Sequence, residues 1–466
     1  MRLTNPQQRR AMKKLLATSP RSFRTDIGVI IAVLGAQLGD EGKGKVVTYM
    51  IEHLGCTLVV RFQGGCNAGH TIYVLVDGVP KKVVLHHLPE GVAYPGVLSA
   101  IGAGCLINPQ WFINEVADLA AVGITLSPDR LVIDGEATVT TCWHIREDVI
   151  RERSANSAAT TQKGISGAAT SITRKIRLTV DELLDYRNDY ARLRKSVTLI
   201  AEDYARIKDD GYADLPVDDE VQRLIAFAEK LRQWCRLEPV DDLVYEHQRA
   251  GYHTVLVGGQ GAHLDPLRSY LGTSTSIWPP LGLGTLHNMY VLGVAKMLGT
   301  ALGEQPLPTK ILDESLASRL RQHCGEFGAT TGRNRDLYWL WINQINASIR
   351  ILALDGLIFT KVDLHREEMR MATGMQVDHV SVSWWNSASV AYDRHAPNKC
   401  GARVRAAGWV DLPEITGRLA GIRRWDGLPA SLHRRVLMIE GYLIRDTKVV
   451  MIGNGPNPED IVVRGI

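Results

Sequence analysis

The sequence has no apolar run approaching the roughly 18 to 20 residues that span a bilayer, and no apolar signal core precedes a cleavage site near its start. A soluble, cytoplasmic protein is therefore expected. It has no Cys-x-x-Cys pair. Seven scattered cysteines (Cys56, Cys66, Cys105, Cys142, Cys235, Cys324 and Cys400) are odd in number, as expected of reduced thiols rather than a disulfide framework. Large charge of one sign is also missing: a net +4 over 466 residues gives no reason to expect a nucleic-acid partner. No repeat, low-complexity tract or proline-serine linker divides the chain, although a prior of about 150 residues per domain would suggest roughly three units.

What is present is an ordinary globular composition, 45% apolar and 22% charged with 43 glycines. One bias stands at the start, where Arg2, Arg9, Arg10, Lys13, Lys14, Arg21 and Arg24 all precede the first acid, Asp26. Residues 1–26 are expected to be a solvated, partly disordered basic extension; a transit peptide or a polyanion-binding arm would have the same composition. Residues 27–466 are expected to form one body, with the charged helical stretch 179–240 as a candidate subdomain beside it.

The run from Ile27 to Leu34 reads as a strand buried on both faces, and Thr57 to Phe62 as a second. Further strand candidates are 83–85, 98–102, 131–134, 254–257, 357–362 and 449–452. Helical patterns fall at 46–53, 111–121, 180–207, 220–234, 289–298 and 337–354. This alternation predicts an α/β body around a mostly parallel sheet with helices on both faces.

The first strand runs into Gly35-Ala-Gln-Leu-Gly-Asp40-Glu-Gly-Lys43-Gly-Lys45, a glycine loop opening a helix, where backbone N–H groups and a positive helix end meet a phosphate. It is not Gly-x4-Gly-Lys-Ser/Thr, and Asp40 and Glu41 would repel an anion unless a metal or a proton transfer used them. A tight turn with solvated charges is the alternative. The second strand ends in Gln63-Gly-Gly-Cys-Asn67-Ala-Gly69-His70-Thr71. Taken alone, His70 is as suited to a structural hydrogen bond as to acid catalysis. Two such loops at the carboxyl ends of neighbouring strands mark the ligand side of an open α/β sheet.

The run Gly39 to Lys45 followed by Gln63 to Thr71 resembles the adenylosuccinate synthetase family. The resemblance continues in family order through Thr160-Thr161-Gln-Lys-Gly164, Gly258-Gly-Gln260-Gly261, Gly325 to Arg335, Thr360-Lys361-Val-Asp363 and Gly453-Asn-Gly455-Pro456. It implies a single large α/β body and a carbon–nitrogen ligase that joins L-aspartate to the six-position of a purine monophosphate. In this chemistry the six-oxygen attacks the γ-phosphate of GTP, and the aspartate amine displaces phosphate from the 6-phosphoryl intermediate.

The resemblance also implies roles. Asp40 would be the base at purine N1, His70 the acid at the transferring phosphoryl, and Gln260 would face the six-position. Mg²⁺ would sit on Asp40 and the Gly69 carbonyl. Triphosphate contacts would come from Gly39, Glu41, Gly42, Lys43, Gly44, Lys45, Gly69, Thr71, Gly453 and Gly455. Lys361 and Asp363 would select guanine, favouring GTP over ATP. Asn67, Thr160, Thr161, Lys175, Thr273 and Arg333 would hold the purine monophosphate, and Thr330, Thr331, Arg333 and Arg335 the aspartate, with planar arginine forks on its carboxylates. A homodimer is expected, with Arg174 or Lys175 standing where relatives send an arginine across the interface.

Departures from the family pattern cluster around the nucleotide substrate. The family's Gly-Thr-Thr-Gly-Arg-Gly-Ile-Gly-Pro is Ala159 to Gly167 here, Tyr-Pro-Tyr-Val-Thr-Ser-Ser-Asn is replaced by Ser269 to Ser276, and Glu-Gly-Ala-Gln becomes Gly258-Gly259-Gln260. Viral relatives that act on dGMP in a 2-aminoadenine pathway replace the loop aspartate and lack Thr-Lys-x-Asp. This chain keeps Asp40, Lys361 and Asp363, so IMP is favoured, with dGMP or GMP as the alternative. A non-catalytic nucleotide-binding protein on the same fold is the alternative of another class.

Overall fold

The computed structural model describes residues 5–152, 161–206, 215–264, 288–301, 308–327, 332, 334–377, 380–382 and 404–465. Its main sheet is ordered, from one edge, Ile461–Val463, Lys448–Gly453, Gly356–Thr360, Met289–Lys296, Ile30–Gly35, His253–Gly261, Cys56–Gly64, Leu98–Ile107, Leu131–Ile133 and Arg236–Leu237. Along this path every pair is parallel except the outermost, Lys448–Gly453 with Ile461–Val463. A parallel sheet has helices on its faces, so its strands are apolar on both sides. The central Ile30–Gly35 accordingly has no exposed residue, and helix Lys43–Leu54 covers one face with Val46, Val47, Met50 and Leu54. Common strand direction also puts the carboxyl ends of the central strands on one edge, where the islands at Gly35–Lys45, Gln63–Thr71, Thr360–Asp363 and Gly453–Pro456 begin.

A second, smaller sheet contains Leu298–Ala301, Asp336–Trp341, Met369–Val377, Val380–Val382 and Val404–Leu412. A separate apolar cluster joins helices Pro109–Ala121, Tyr190–Ala205 and Val217–Trp234 through Phe112, Val197, Leu224 and Phe227. Among the described residues, no helix is long and apolar enough to cross a membrane.

Four local expectations are corrected. Residues 289–296 form a strand, not a helix, with all eight residues buried between two parallel neighbours; a fully apolar run carries no period to distinguish the two. The pattern at 337–354 divides into strand Asp336–Trp341 and helix Ile342–Leu352. The basic extension is folded along Pro6–Leu16, a helix with an Asn5–Gln8 capping box and with Met12 and Leu15 buried in the cluster that includes helix Lys43–Leu54. Beyond it, Arg21 pairs with Asp355 at 2.5 Å and Thr18 shares a hydrogen bond with Tyr290 at 2.7 Å. The stretch read as one helix over 180–207 is broken by a turn at Asp185–Arg187 and restarts after Asp189, whose side chain accepts from Arg192 N.

Candidate active site

After Ile30–Gly35 the chain turns through Gly39 and Asp40, both left-handed (φ 90° and 58°), into helix Lys43–Leu54. Glu41 is turned inward. Its buried carboxylate accepts from the backbone N–H of Gln37 (3.2 Å) and Gly39 (2.9 Å) and pairs with Lys43 at 2.8 Å. Burial would raise its pKa, but the Lys43 charge and these hydrogen bonds hold it below its ordinary value. Glu41 is thus a strut that shapes the loop. Asp40, with 27% of its side chain exposed, is the more accessible of the two loop carboxylates.

Glycines set how closely the loops meet. A Cβ at Gly261 would lie 2.3 Å from the Gln37 carbonyl oxygen and 2.4 Å from Gly39 N, so only glycine lets strand His253–Gly261 close on the first loop. A Cβ at Gly44 would lie 3.1 Å from the Thr71 carbonyl oxygen and 3.4 Å from the His70 Cβ, which brings the helix start against the second loop.

In that second loop His70 is buried, and its Nδ1 donates to the Glu90 carboxylate at 2.7 Å. The proton is therefore on Nδ1, and Nε2 has no hydrogen-bond partner among the described residues. Burial lowers the His70 pKa, Glu90 opposes, and the Arg61 and Lys43 charges push the same way as burial. Lys163, stacked 3.4 Å over Trp111, donates to the Cys66 carbonyl at 2.8 Å and so ties the 161–164 island to this loop.

On the other side of the central strand, Thr360 donates to the Glu41 carbonyl, and Lys45 Nζ donates to the Gly455 carbonyl at 2.6 Å. Burial brings the Lys45 ammonium down to about 8, with Asp363 and Asp460 opposing. Arg335 reaches back across: one guanidinium nitrogen is 2.9 Å from Asp40 and another 2.6 Å from the buried Glu326. Glu326 also receives Lys361 at 2.8 Å and Lys296 at 3.1 Å.

A family model described as adenylosuccinate synthetase matches residues 32–462 of this chain. The chain belongs to the adenylosuccinate synthetase family. It is 31% identical over 423 residues to the adenylosuccinate synthetase of Anaeromyxobacter sp. (strain Fw109-5), covering 88% of this chain and 93% of the relative. The Paraburkholderia phytofirmans enzyme is 29% identical over 96% of this chain and 98% of its own. Among solved structures, the fully ligated Plasmodium falciparum adenylosuccinate synthetase matches with a TM-score of 0.76 and 25% identity, covering 93% of this chain and 99% of the other. The cyanophage S-2L succinoaminodeoxyadenylate synthetase PurZ, bound to dGMP and dATP as an energy donor, matches with a TM-score of 0.54 over 94% and 95% of the chains. At 14% identity that likeness is one of fold alone.

In this adenylosuccinate synthetase-family chain, the structure brings Asp40, Glu41, Lys43, Gly44, Lys45, His70, Thr71, Arg335, Lys361 and Gly455 into one linked set of contacts. Gly453 belongs to it through close approach to Lys45, and Asp363 through the Lys45 charge. Gln260 is half-buried beside Gly261, while Asn67 and Thr161 are exposed. Lys175 is exposed at the left-handed end of helix Ile165–Arg174, and Arg174 is paired with Asp203 at 2.6 Å. Thr160, Thr273, Thr330, Thr331 and Arg333 lie outside the described residues.

Among the described residues no three His, Cys, Asp or Glu side chains group to hold a metal. Mg²⁺ is commonly held by one or two carboxylates and substrate phosphates rather than by a protein cage, and the partly exposed Asp40 carboxylate is a donor of that kind. Sequence reasoning passed over Glu326, Lys296 and Glu90. Glu326 lay inside the Gly325–Arg335 island with no role attached, and Lys296 lay in the stretch read as helical.

Proposed function

We propose that this chain condenses L-aspartate with the six-position of IMP, giving adenylosuccinate, with GTP as the phosphoryl donor. The observation that carries the reading is the convergence of Asp40, His70 and Arg335 around two glycine loops at the carboxyl edge of a parallel sheet. Asp40 removes the N1 proton so that the six-oxygen attacks the γ-phosphorus. His70 presents Nε2 to the transferring group while Glu90 holds Nδ1; the incoming phosphate charge supports the imidazolium that burial disfavours. Lys43, Lys45 and the amides of residues 39–45 bind phosphates. Asp40 and the Gly69 carbonyl would hold Mg²⁺, which supplies charge neutralisation at the phosphates.

Arg335 takes a carboxylate of aspartate on the guanidinium nitrogen that here faces Asp40, and Arg333, Thr330 and Thr331 complete that site. Thr160, Thr161, Asn67 and Thr273 hold the 5′-phosphate, Gln260 faces the six-position, and Lys175 reaches the phosphate of a second copy in a homodimer. Asp363 accepts from guanine N1–H and the 2-amino group, which adenine does not offer as a pair. The enzyme is placed in the cytoplasm.

Competition among IMP, GMP, dIMP and dGMP, read by mass spectrometry of the succinylated product, tests the purine. IMP is expected to dominate. A predominant 2-amino product from dGMP would overturn the choice of IMP and leave the ligase chemistry standing.

A further inference from the structure

Glu326 has no role in the chemistry above, yet it joins two of its sites. Its Oε1 receives Lys361 at 2.8 Å and Lys296 at 3.1 Å; its Oε2 receives Arg335 at 2.6 Å and Lys296 at 3.2 Å. The carboxylate is fully buried, so water does not compete for it. Lys296 is the fixed member: it ends the buried strand Met289–Lys296 and donates to Thr300 at 2.5 Å. The other two cations reach the carboxylate from different parts of the chain, and Lys361 also donates to the Cys324 carbonyl at 3.2 Å. Lys361 follows strand Gly356–Thr360 in a left-handed conformation, φ 55°. Arg335 follows the Phe327–Asn334 bridge, and its backbone N–H donates to the Glu326 carbonyl at 3.3 Å.

We propose that Glu326 is a positioning residue that makes filling of the triphosphate's base site and filling of the aspartate site mutually dependent. It rests on the assignment of Lys361 to the first site and Arg335 to the second. Three cations share two carboxylate oxygens, and together with Asp40 the cluster carries a net positive charge. Drawing Lys361 toward a purine ring removes the shortest contact on Oε1. The carboxylate then holds Lys296 and Arg335 more strongly. This fixes one nitrogen of the Arg335 fork and leaves the other to exchange Asp40 for a substrate carboxylate. By linkage the effect is reciprocal: aspartate on Arg335 must favour the same placement of Lys361.

The test is calorimetric titration of L-aspartate into the full chain saturated with IMP and Mg²⁺, with and without a non-hydrolysable β,γ-bridged GTP analogue. In the unmodified protein the analogue is expected to tighten aspartate by about fivefold or more, within the usual range for linked sites. In Glu326→Gln that ratio is expected to fall to within about twofold of one, whichever way the individual affinities move. Glu326→Asp keeps the charge but is one methylene shorter and cannot hold all three cations, so it should lose most of the ratio even where the glutamine variant fails to fold. A ratio of one in the unmodified protein, or an undiminished ratio in either folded variant, overturns the proposal. Failure of the underlying function reads differently, as no phosphate release from the unmodified protein with all substrates present.

Discussion

Arg335 and Asp40 form an ion pair at 2.9 Å, so the arginine assigned to aspartate and the carboxylate assigned to the purine proton occupy each other. Neither performs its task while the pair is closed. Glu326 holds another nitrogen of the same guanidinium at 2.6 Å, which lets the fork exchange one partner without losing the other. On the proposed assignment, arrival of a substrate carboxylate would free Asp40.

Asp40→Asn should lower kcat by at least about 10²-fold, the low end for loss of a positioned acid–base group. Arg335→Met should instead raise the KM for aspartate by about tenfold or more, the loss of roughly 1.4 kcal/mol or more of charge-assisted binding, and leave the KM for IMP within about twofold. Steady-state kinetics with each substrate varied separately checks both; normal kcat in Asp40→Asn would remove the base assignment.

Glu90 holds the Nδ1 proton of His70 and is the group that opposes the burial of this imidazole. If His70 acts through a protonated ring, activity falls as pH rises through its pKa. Glu90→Gln removes an anion that raises that pKa, so the fall should move to lower pH and kcat near neutrality should decrease. A kcat profile identical to that of the unmodified enzyme would show that His70 does not work as an acid held by Glu90.

Acid should destabilise the fold through histidines buried in neutral form. Burial takes His144 and His365 down to about 3 and His247 down to about 4. The unfolded chain binds protons at these groups near pH 6.5 while the folded chain does not, so stability is lost as pH falls below about 6.5 and down toward the folded values. At pH 5 each group withdraws on the order of 2 kcal/mol. Chemical denaturation at pH 7 and pH 5 checks this, with an equal midpoint at the two pH values as the contrary result.

How far these features were legible depended on the kind of signal. The Gly39–Lys45 and Gln63–Thr71 islands were readable because a loop that lets backbone approach phosphate must spend glycine at fixed places. The mostly parallel sheet was readable from uniformly apolar, β-branched runs such as Ile27–Leu34. The same uniformity hid strand Met289–Lys296, since a segment buried on all sides has no polar face to reveal its period. Helix Pro6–Leu16 was obscured by the basic residues around Met12 and Leu15, its buried contacts. The Glu326 cluster was invisible for another reason: Lys296, Glu326, Arg335 and Lys361 meet only through tertiary packing, and no spacing in the sequence records it.

The most direct test of the ligase account is phosphate release by the purified chain with single components omitted, alongside mass analysis of the nucleotide product. The account predicts turnover only when IMP, L-aspartate, GTP and Mg²⁺ are present together, with one phosphate released per succinylated purine formed. Full-rate phosphate release without aspartate, or release with no succinylated product, would contradict it.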